Sequence, residues 1–239
     1  MNVALIFAGG SGTRMNSKTT PKQFLKLNGK EIIIYTIEHF EQHNEVDAII
    51  VVCLASWISY LKTILNKHSI KKVKWIVEGG STGQKSIYEG LKKLKQECED
   101  DTIILVHDGV RPLIDDKVIS DNIISVKRFG SAITTAPSVE TIVTVNEERD
   151  VNGISDRSKS MMAKAPQSFY LGQLLKVHEM AKGEEKDNFI DTASIMNYYG
   201  YPLKTVEGGY ENIKITTPSD YYIFKTIIEI KENAQIFGI

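Results

Sequence analysis

Strand and helix signals alternate along the first 110 residues, which predicts an α/β fold built on a mostly parallel sheet. Three observations carry that prediction. Val/Ile-rich runs of strand length recur, as in strands covered on both faces. Segments with a helical apolar period lie between them. Glycine-rich stretches follow strand ends, which is where open sheets of this class bind ligands.

In chain order, the first strand is Val3–Ala8. A helix follows at Glu31–His43, where Ile33, Ile37 and Phe40 fall at i, i+4 and i+7. Ala48–Leu54 is a second strand, Ser56–Lys67 a helix, and Val73–Val77 a third strand. Gln84–Glu97 has helical period and Thr102–His107 is a fourth strand. The pattern changes after about residue 130. Ser131–Thr135 and Thr141–Val145 read as strands, and residues 146–157 are polar and irregular, with Asn152-Gly153 as a turn signal. This stretch is a candidate arm, at about residues 138–163, on a single domain spanning residues 1–239. Helical patterns return at Leu171–Met180, Asp191–Tyr199 and Pro218–Lys231. Pro218 suits a first helical turn with Thr217 as N-cap. Tyr198-Tyr199 and Tyr221-Tyr222 read as helix packing, and Lys92, Lys93 and Lys95 as a solvated helix face.

Charge narrows the function classes. Lys+Arg is 29 against 30 Asp+Glu, so there is no footprint for nonspecific nucleic-acid binding, although a local basic cleft stays open. The first residues lack a basic start, their apolar run is too short for a signal peptide, and no stretch approaches a membrane span. Cytoplasm is the expected compartment. Two cysteines, Cys53 and Cys98, support neither a disulfide framework nor a cysteine-based zinc site.

The loop after the first strand reads Gly9-Gly10-Ser11-Gly12-Thr13-Arg14. Its glycines let backbone N–H groups turn toward an anion. It is not a dinucleotide fingerprint, because Met15 stands at the third glycine position and no acidic ribose reader follows the second strand. That disfavours a nicotinamide-dependent reductase. Nor is it a Walker loop, because Arg14-Met15 replaces Lys-Ser/Thr. Arg14 and Lys22, the latter in Pro21-Lys22-Gln23-Phe24-Leu25, bracket the loop as a cage suited to a triphosphate.

GGxGTRM, then PKQFL, then His107-Asp108-Gly109-Val110-Arg111-Pro112 resembles the cytidylyltransferases that load sugar-alcohol phosphates onto CTP. These include the methylerythritol-phosphate enzymes of isoprenoid synthesis and the ribitol-phosphate enzymes of cell-wall polymer synthesis. The similarity runs to about Lys225. It implies a Rossmann-like nucleotidyltransferase fold with a β-arm used for dimerisation, and catalytic roles for Arg14, Lys22 and Lys214. It implies CTP contacts from Ala8, Gly9, Gly10, Gly12, Thr13, Gly79, Gly80, Ser81, Ser86 and Asp108. Asp108 is the expected Mg²⁺ ligand beside the phosphates. Arg111 reads either as a phosphate or substrate cation or as an ion-pair partner of Asp108. His107 reads as a packed histidine rather than a ligand.

Asn212-Ile213-Lys214-Ile215 resembles the family's NIKxTxPxD segment, with Lys214 on a strand and pointing away from its Ile neighbours. Asp220 is expected to cap a helix start. Arg157 is expected to cross a dimer interface to the partner's polyol phosphate, with Thr141 as a further substrate contact. One departure stands out: Gly83 occupies a position where the family often has Arg, with Lys85 as a possible substitute.

The implied reaction is attack by a phosphate monoester on the α-phosphorus of CTP, expelling pyrophosphate. The monoester is mostly dianionic at pH 7 and needs no general base, so positioning and electrostatics carry the chemistry. A noncatalytic nucleotide-binding module is the competing class, and it would tolerate loss of Asp108 or Lys22. Two features point to D-ribitol 5-phosphate over methylerythritol 4-phosphate. The motif is HDGVRP rather than HDAARP, and Ala165 precedes Pro166-Gln167 where the methylerythritol branch commonly has Thr.

Overall fold

The computed structural model describes residues 1–9 and 20–237. Its centre is a seven-stranded sheet of β1 (Asn2–Ala8), β4 (Ala48–Cys53), β5 (Val73–Glu78), β6 (Ile103–Asp108), β7 (Ser131–Pro137), β10 (Met161–Tyr170) and β11 (Thr205–Glu207). The spatial order is β11-β7-β10-β6-β1-β4-β5. Within it β4, β1 and β6 pair in parallel, as do β4 with β5 and β11 with β7, whereas β10 runs antiparallel to both neighbours. The expected mostly parallel sheet is present. Strand order reverses beside β1: the chain first moves out to β4 and β5, then returns to β6 on the other side. Such a switch point opens a crevice at the strands' carboxyl ends. Here those ends are Ala8 and Asp108.

Period two along the strands builds two cores. Ala4, Ile6, Ile49 and Val51 face α1 (Ile32–Gln42), α2 (Ile58–Lys67) and α4 (Asp116–Phe129). Val3, Leu5, Ile50 and Val52 face α3 (Gly83–Glu97), α5 (Leu171–Gly183) and α6 (Thr192–Tyr198). Strands buried on both faces explain the uninterrupted Val/Ile runs. A smaller cluster, including Leu27, Val110, Leu113, Ile215 and Phe224, seats α7 (Pro218–Phe237) near the carboxyl ends.

Several elements differ from the sequence expectation. The helix α4 and the strands β10 and β11 carry no assignment in the sequence reading. The hairpin strands β2 (Lys26–Leu27) and β3 (Lys30–Glu31) are two residues each, too short for a periodic signal. The strand expected at Thr141–Val145 contracts to β8 (Val143–Val145), paired with β9 (Val151–Ile154). Asn152-Gly153 therefore lies within β9, not in a turn. A Cβ at Gly153 would sit 2.6 Å from Thr144 Oγ1, so close strand approach accounts for that glycine. The turn is at 146–150, closed by Asp150 N–H donating to Asn146 Oδ1 at 2.8 Å, with Arg149 left-handed at φ 70°. None of residues 139–163 is buried.

A buried polar network ties α4 to the sheet. Asn122 Nδ2 donates to Val118 O and to Thr134 Oγ1, both at 2.9 Å, and Asn122 Oδ1 accepts from Ser168 Oγ at 2.9 Å. Thr134 Oγ1 in turn donates to Pro166 O at 2.7 Å. All three side chains are buried. Asn122→Ala removes the acceptor for one hydroxyl and the donor to another, and is expected to cost about 2–3 kcal/mol. Urea unfolding monitored by circular dichroism measures that loss.

Candidate active site

At the switch point the end of β1 is held by a buried glutamine. Gln23 Nε2 donates to Ala8 O at 2.6 Å from the 3-10 turn Lys22–Phe24. The sequence reading singled out Lys22 in this segment and missed Gln23, which fixes the last carbonyl of β1. Gly10, Gly12, Thr13 and Arg14 lie outside the described residues. Gly9 and Gly79 both converge on Ser86. A Cβ built on Gly9 would stand 2.8 Å from Ser86 Oγ, so only a backbone without a side chain closes that approach. Ser86 Oγ donates to Thr82 O at 2.9 Å, and Thr82 caps α3 by accepting from Lys85 N–H at 3.1 Å.

These residues line a cavity of about 530 Å³, whose walls include Ala8, Gly9, Lys22, Gly80, Ser81, Ser86, Asp108 and Lys214. A second cavity, of about 280 Å³, is lined by Arg111, Lys164, Ala165, Gln167, Asp191 and Thr192 among others. The two share Phe7, Gly83, Asp108 and Lys214. Gly83 is thus at the junction of the two cavities, and a Cβ there would meet open space.

Asp108 is the electrostatic centre. Its Oδ1 lies 2.6 Å from Lys214 Nζ and its Oδ2 accepts from Arg111 Nε at 2.8 Å. Burial alone would raise this carboxyl's pKa, but Lys214 and Arg111 overcome that and hold it at about 2. Arg111 also donates from Nη1 to Asn212 O at 2.9 Å. Of its two sequence readings, the ion-pair role is realised, and Arg111 lines the second cavity while paired. Lys214 is more open, with 41% of its side chain exposed. It does not sit on a strand as expected: residues 212–216 form no ladder, and Ile215 N–H donating to Val110 O at 2.9 Å is the backbone bond that ties the stretch to the turn after β6. Buried Ile215 still sets Lys214 facing the cleft.

His107 is fully buried, packs edge-on to Phe40 and contacts Arg111 O at 3.2 Å. Burial pushes its pKa to about 3, so it is neutral and structural, as expected. Asp220 accepts from the N–H groups of Thr216 and Thr217 at 2.8 and 2.7 Å, and the Thr217 hydroxyl also donates to it. This is the expected cap at the start of α7. Thr141 and Arg157 are solvent-facing on the 139–163 segment and line neither cavity of their own chain.

The second cavity holds what the sequence reading missed. Lys164 Nζ donates to Tyr210 O and Asn212 O, and burial, then Arg111, lowers its pKa. Gln167 Nε2 donates to Asp191 Oδ2 at 2.9 Å. Only Gln167 had a local signal, in the Pro166-Gln167-Ser168-Phe169 run. The others converge from separate elements.

No group of three or more His, Cys, Asp or Glu side chains able to hold a metal occurs among the described residues. Asp108 is a single carboxylate with one cation on each oxygen and lone pairs remaining. That donor set fits Mg²⁺ carried by nucleotide phosphates, which takes one or two protein carboxylates, rather than an all-protein cage.

A glycine-lined cleft at the switch point of a mostly parallel sheet, opening onto a second polar cavity, is shaped to bring a nucleotide and a second substrate together, and the comparisons make the class a nucleotidyltransferase. The sequence matches the family IspD: 2-C-methyl-D-erythritol 4-phosphate cytidylyltransferase over residues 2–230, and the chain belongs to that family. A Vibrio parahaemolyticus protein named ribitol-5-phosphate cytidylyltransferase is 55% identical over 238 residues, covering 100% of both chains. A Streptococcus agalactiae protein of the same name is 47% identical over 239 residues, again with 100% coverage of both. Among solved structures, 4-diphosphocytidyl-2C-methyl-D-erythritol synthase from Anaerococcus prevotii superposes with a TM-score of 0.82 at 26% identity, covering 95% of this chain and 96% of that one. No helix among the described residues is long and apolar enough to cross a membrane.

The Asp108 pair predicts a pH dependence. Its folded pKa lies below its unfolded value, so its contribution is whole above about pH 4 and is lost as pH falls toward 2. Asp108→Asn strands Arg111 and is expected to cost about 3 kcal/mol at pH 7 and to flatten the acid limb over that window. Urea unfolding of both proteins between pH 2 and 7 checks the cost and the slope.

Proposed function

We propose that this cytidylyltransferase acts on CTP and D-ribitol 5-phosphate, giving CDP-ribitol and pyrophosphate. The observation that carries the reading is the junction of two cavities at Phe7, Asp108 and Lys214. It supports CTP in the larger cavity and the polyol phosphate in the smaller one. The acceptor's identity rests on the names of the 47% and 55% identical relatives. Ala165 lines the smaller cavity, as the ribitol branch resemblance implies.

The acceptor phosphate is already an anion at neutral pH, so the protein's task is to bring two anions together in line. Lys214 is half-exposed at the junction, free to turn from Asp108 toward an incoming phosphate. Lys22 and Arg14 would hold the triphosphate, and Gly79, Gly80, Ser81 and Ser86 the base. Asp108 holds Lys214 and Arg111 in place, one on each carboxylate oxygen. Mg²⁺, taken with the nucleotide and touching Asp108, would offset negative charge on the phosphates.

Val139, Val143, Val145, Val151 and Ile154 expose apolar side chains on the 139–163 segment. Such a patch supports the arm as a homodimer contact. Arg157 and Thr141 would then serve the partner's acceptor cavity. We assign residues 1–239 to one nucleotidyltransferase domain, with this arm protruding from it, working in the cytoplasm.

Pyrophosphate release with CTP and Mg²⁺ tests the reading, with ribitol 5-phosphate and methylerythritol 4-phosphate run side by side and UTP replacing CTP in a third arm. Turnover with ribitol 5-phosphate and CTP is expected; turnover with methylerythritol 4-phosphate alone reassigns the acceptor. Lys22→Ala is expected to lower kcat by about 10²–10³ while the fold is kept, as when one charge-stabilising donor is lost. Co-expressed Lys22→Ala and Arg157→Ala chains are expected to regain activity that neither homodimer shows, because one site per mixed dimer is intact. Absence of recovery would remove Arg157 from the partner's site.

A further inference from the structure

One side chain joins the nucleotide loop to the acceptor cavity. Gln84 is the second residue of α3, just after Thr82 and the glycines of the loop, and it lines the acceptor cavity. Its Nε2 donates to Lys186 O at 2.8 Å, and its Oε1 accepts from Phe189 N–H at 3.1 Å. An amide engaged at both ends fixes the backbone it holds in position and orientation.

The segment it holds runs between two anchored ends. α5 finishes with Glu185 N–H donating to Lys182 O at 3.1 Å and Lys186 N–H to Ala181 O at 2.8 Å, with Glu185 left-handed at φ 56°. α6 starts at Asp191, whose Oδ1 accepts from Ser194 N–H and Oγ at 2.8 and 2.6 Å. Between these anchors, Phe189 and Ile190 form part of the acceptor cavity wall. Ile190 is 95% exposed, whereas Phe189 packs against Tyr198 with ring centroids 5.3 Å apart. Lys85 Nζ lies 2.6 Å from Asp187 Oδ2, but both side chains are well exposed and such a pair contributes little. Lys186 and Phe189 also lie against Tyr198 on α6, but it is Gln84 that hydrogen-bonds the segment's backbone to α3.

We propose that Gln84 is a positioning residue for the acceptor, holding residues 186–190 as the outer wall of the acceptor cavity and tying that wall to the loop that receives the nucleotide. It rests on the cytidylyltransferase reading of the two cavities.

Two variants and two readouts test this. Gln84→Ala loses both bonds, and its acceptor KM is expected to rise about tenfold while kcat and the KM for CTP stay within about twofold. Gln84→Glu keeps the acceptor for Phe189 N–H and loses the donor to Lys186 O, so its acceptor KM is expected to rise less. Tryptic cleavage after Lys186 needs no substrate: it is expected to be faster in folded Gln84→Ala than in the parent protein, and slowed by CTP in the parent only. Equal rises in both KM values, or unchanged cleavage after Lys186, overturn the proposal. If the parent protein turns over neither polyol phosphate, the functional reading fails, and the cleavage rates still decide the clamp.

Discussion

The site depends on one buried negative charge. Asp108 sits at the carboxyl end of β6, where burial works against ionisation, and it stays charged because Lys214 and Arg111 each take one of its oxygens. Removing a carboxylate from water is costly, and good geometry with opposite charges offsets that cost. The arrangement draws three separate stretches of chain together: β6, the turn after it, and the 212–216 segment. Asn212 reinforces the same point by receiving Arg111 on its carbonyl and donating from Nδ2 to Ala165 O at 2.6 Å. An electrostatic knot thus fixes the boundary between two cavities. Of its members, Lys214 is the one exposed enough to exchange a protein partner for a ligand.

Physical reasons separate what the sequence made legible from what it hid. Strands buried on both faces have to be apolar throughout, so β1, β4 and β6 announced themselves, and α1 did so through its period. The carboxyl ends of β1, β6 and β5 then pointed to Gly9, Asp108 and Gly79. By contrast β10 begins with exposed Met161 and Met162 and is buried without alternation from Ala165 to Phe169, with a proline inside it, so no single period describes it. The helix α4 has a serviceable amphipathic pattern, but its buried face includes Asn122 and Ser125, which read as solvent-facing until their partners on β7 and β10 are known. At Lys214 the expected alternation was right and the strand was not, because one backbone bond from Ile215 is enough to set the side-chain direction.

The acceptor cavity was hidden for a different reason. Its polar groups come from α3, β10, the turn before α6 and the 212–216 segment, far apart in sequence. None forms a motif alone. The nucleotide loop is the opposite case, since a phosphate cradle is local: a strand end, glycines and nearby cations suffice. Nucleotide recognition is therefore easier to read from a chain than acceptor recognition, and resemblance had to carry the second.

A break in register on β10 separates two kinds of change. Pairing with β7 shifts between Ala163 and Gln167, while Gln167–Tyr170 stays in regular ladder with β6. A strand in strict alternation would offer one cavity every second residue. Here Ala163, Lys164 and Ala165 all reach the acceptor cavity in succession. Substitutions at these three adjacent positions can reshape the smaller cavity without rethreading the half of the strand that holds the core. On the proposed function, preference for the acceptor can then drift within one short segment while the larger cavity, across β6 and β1, stays as it is.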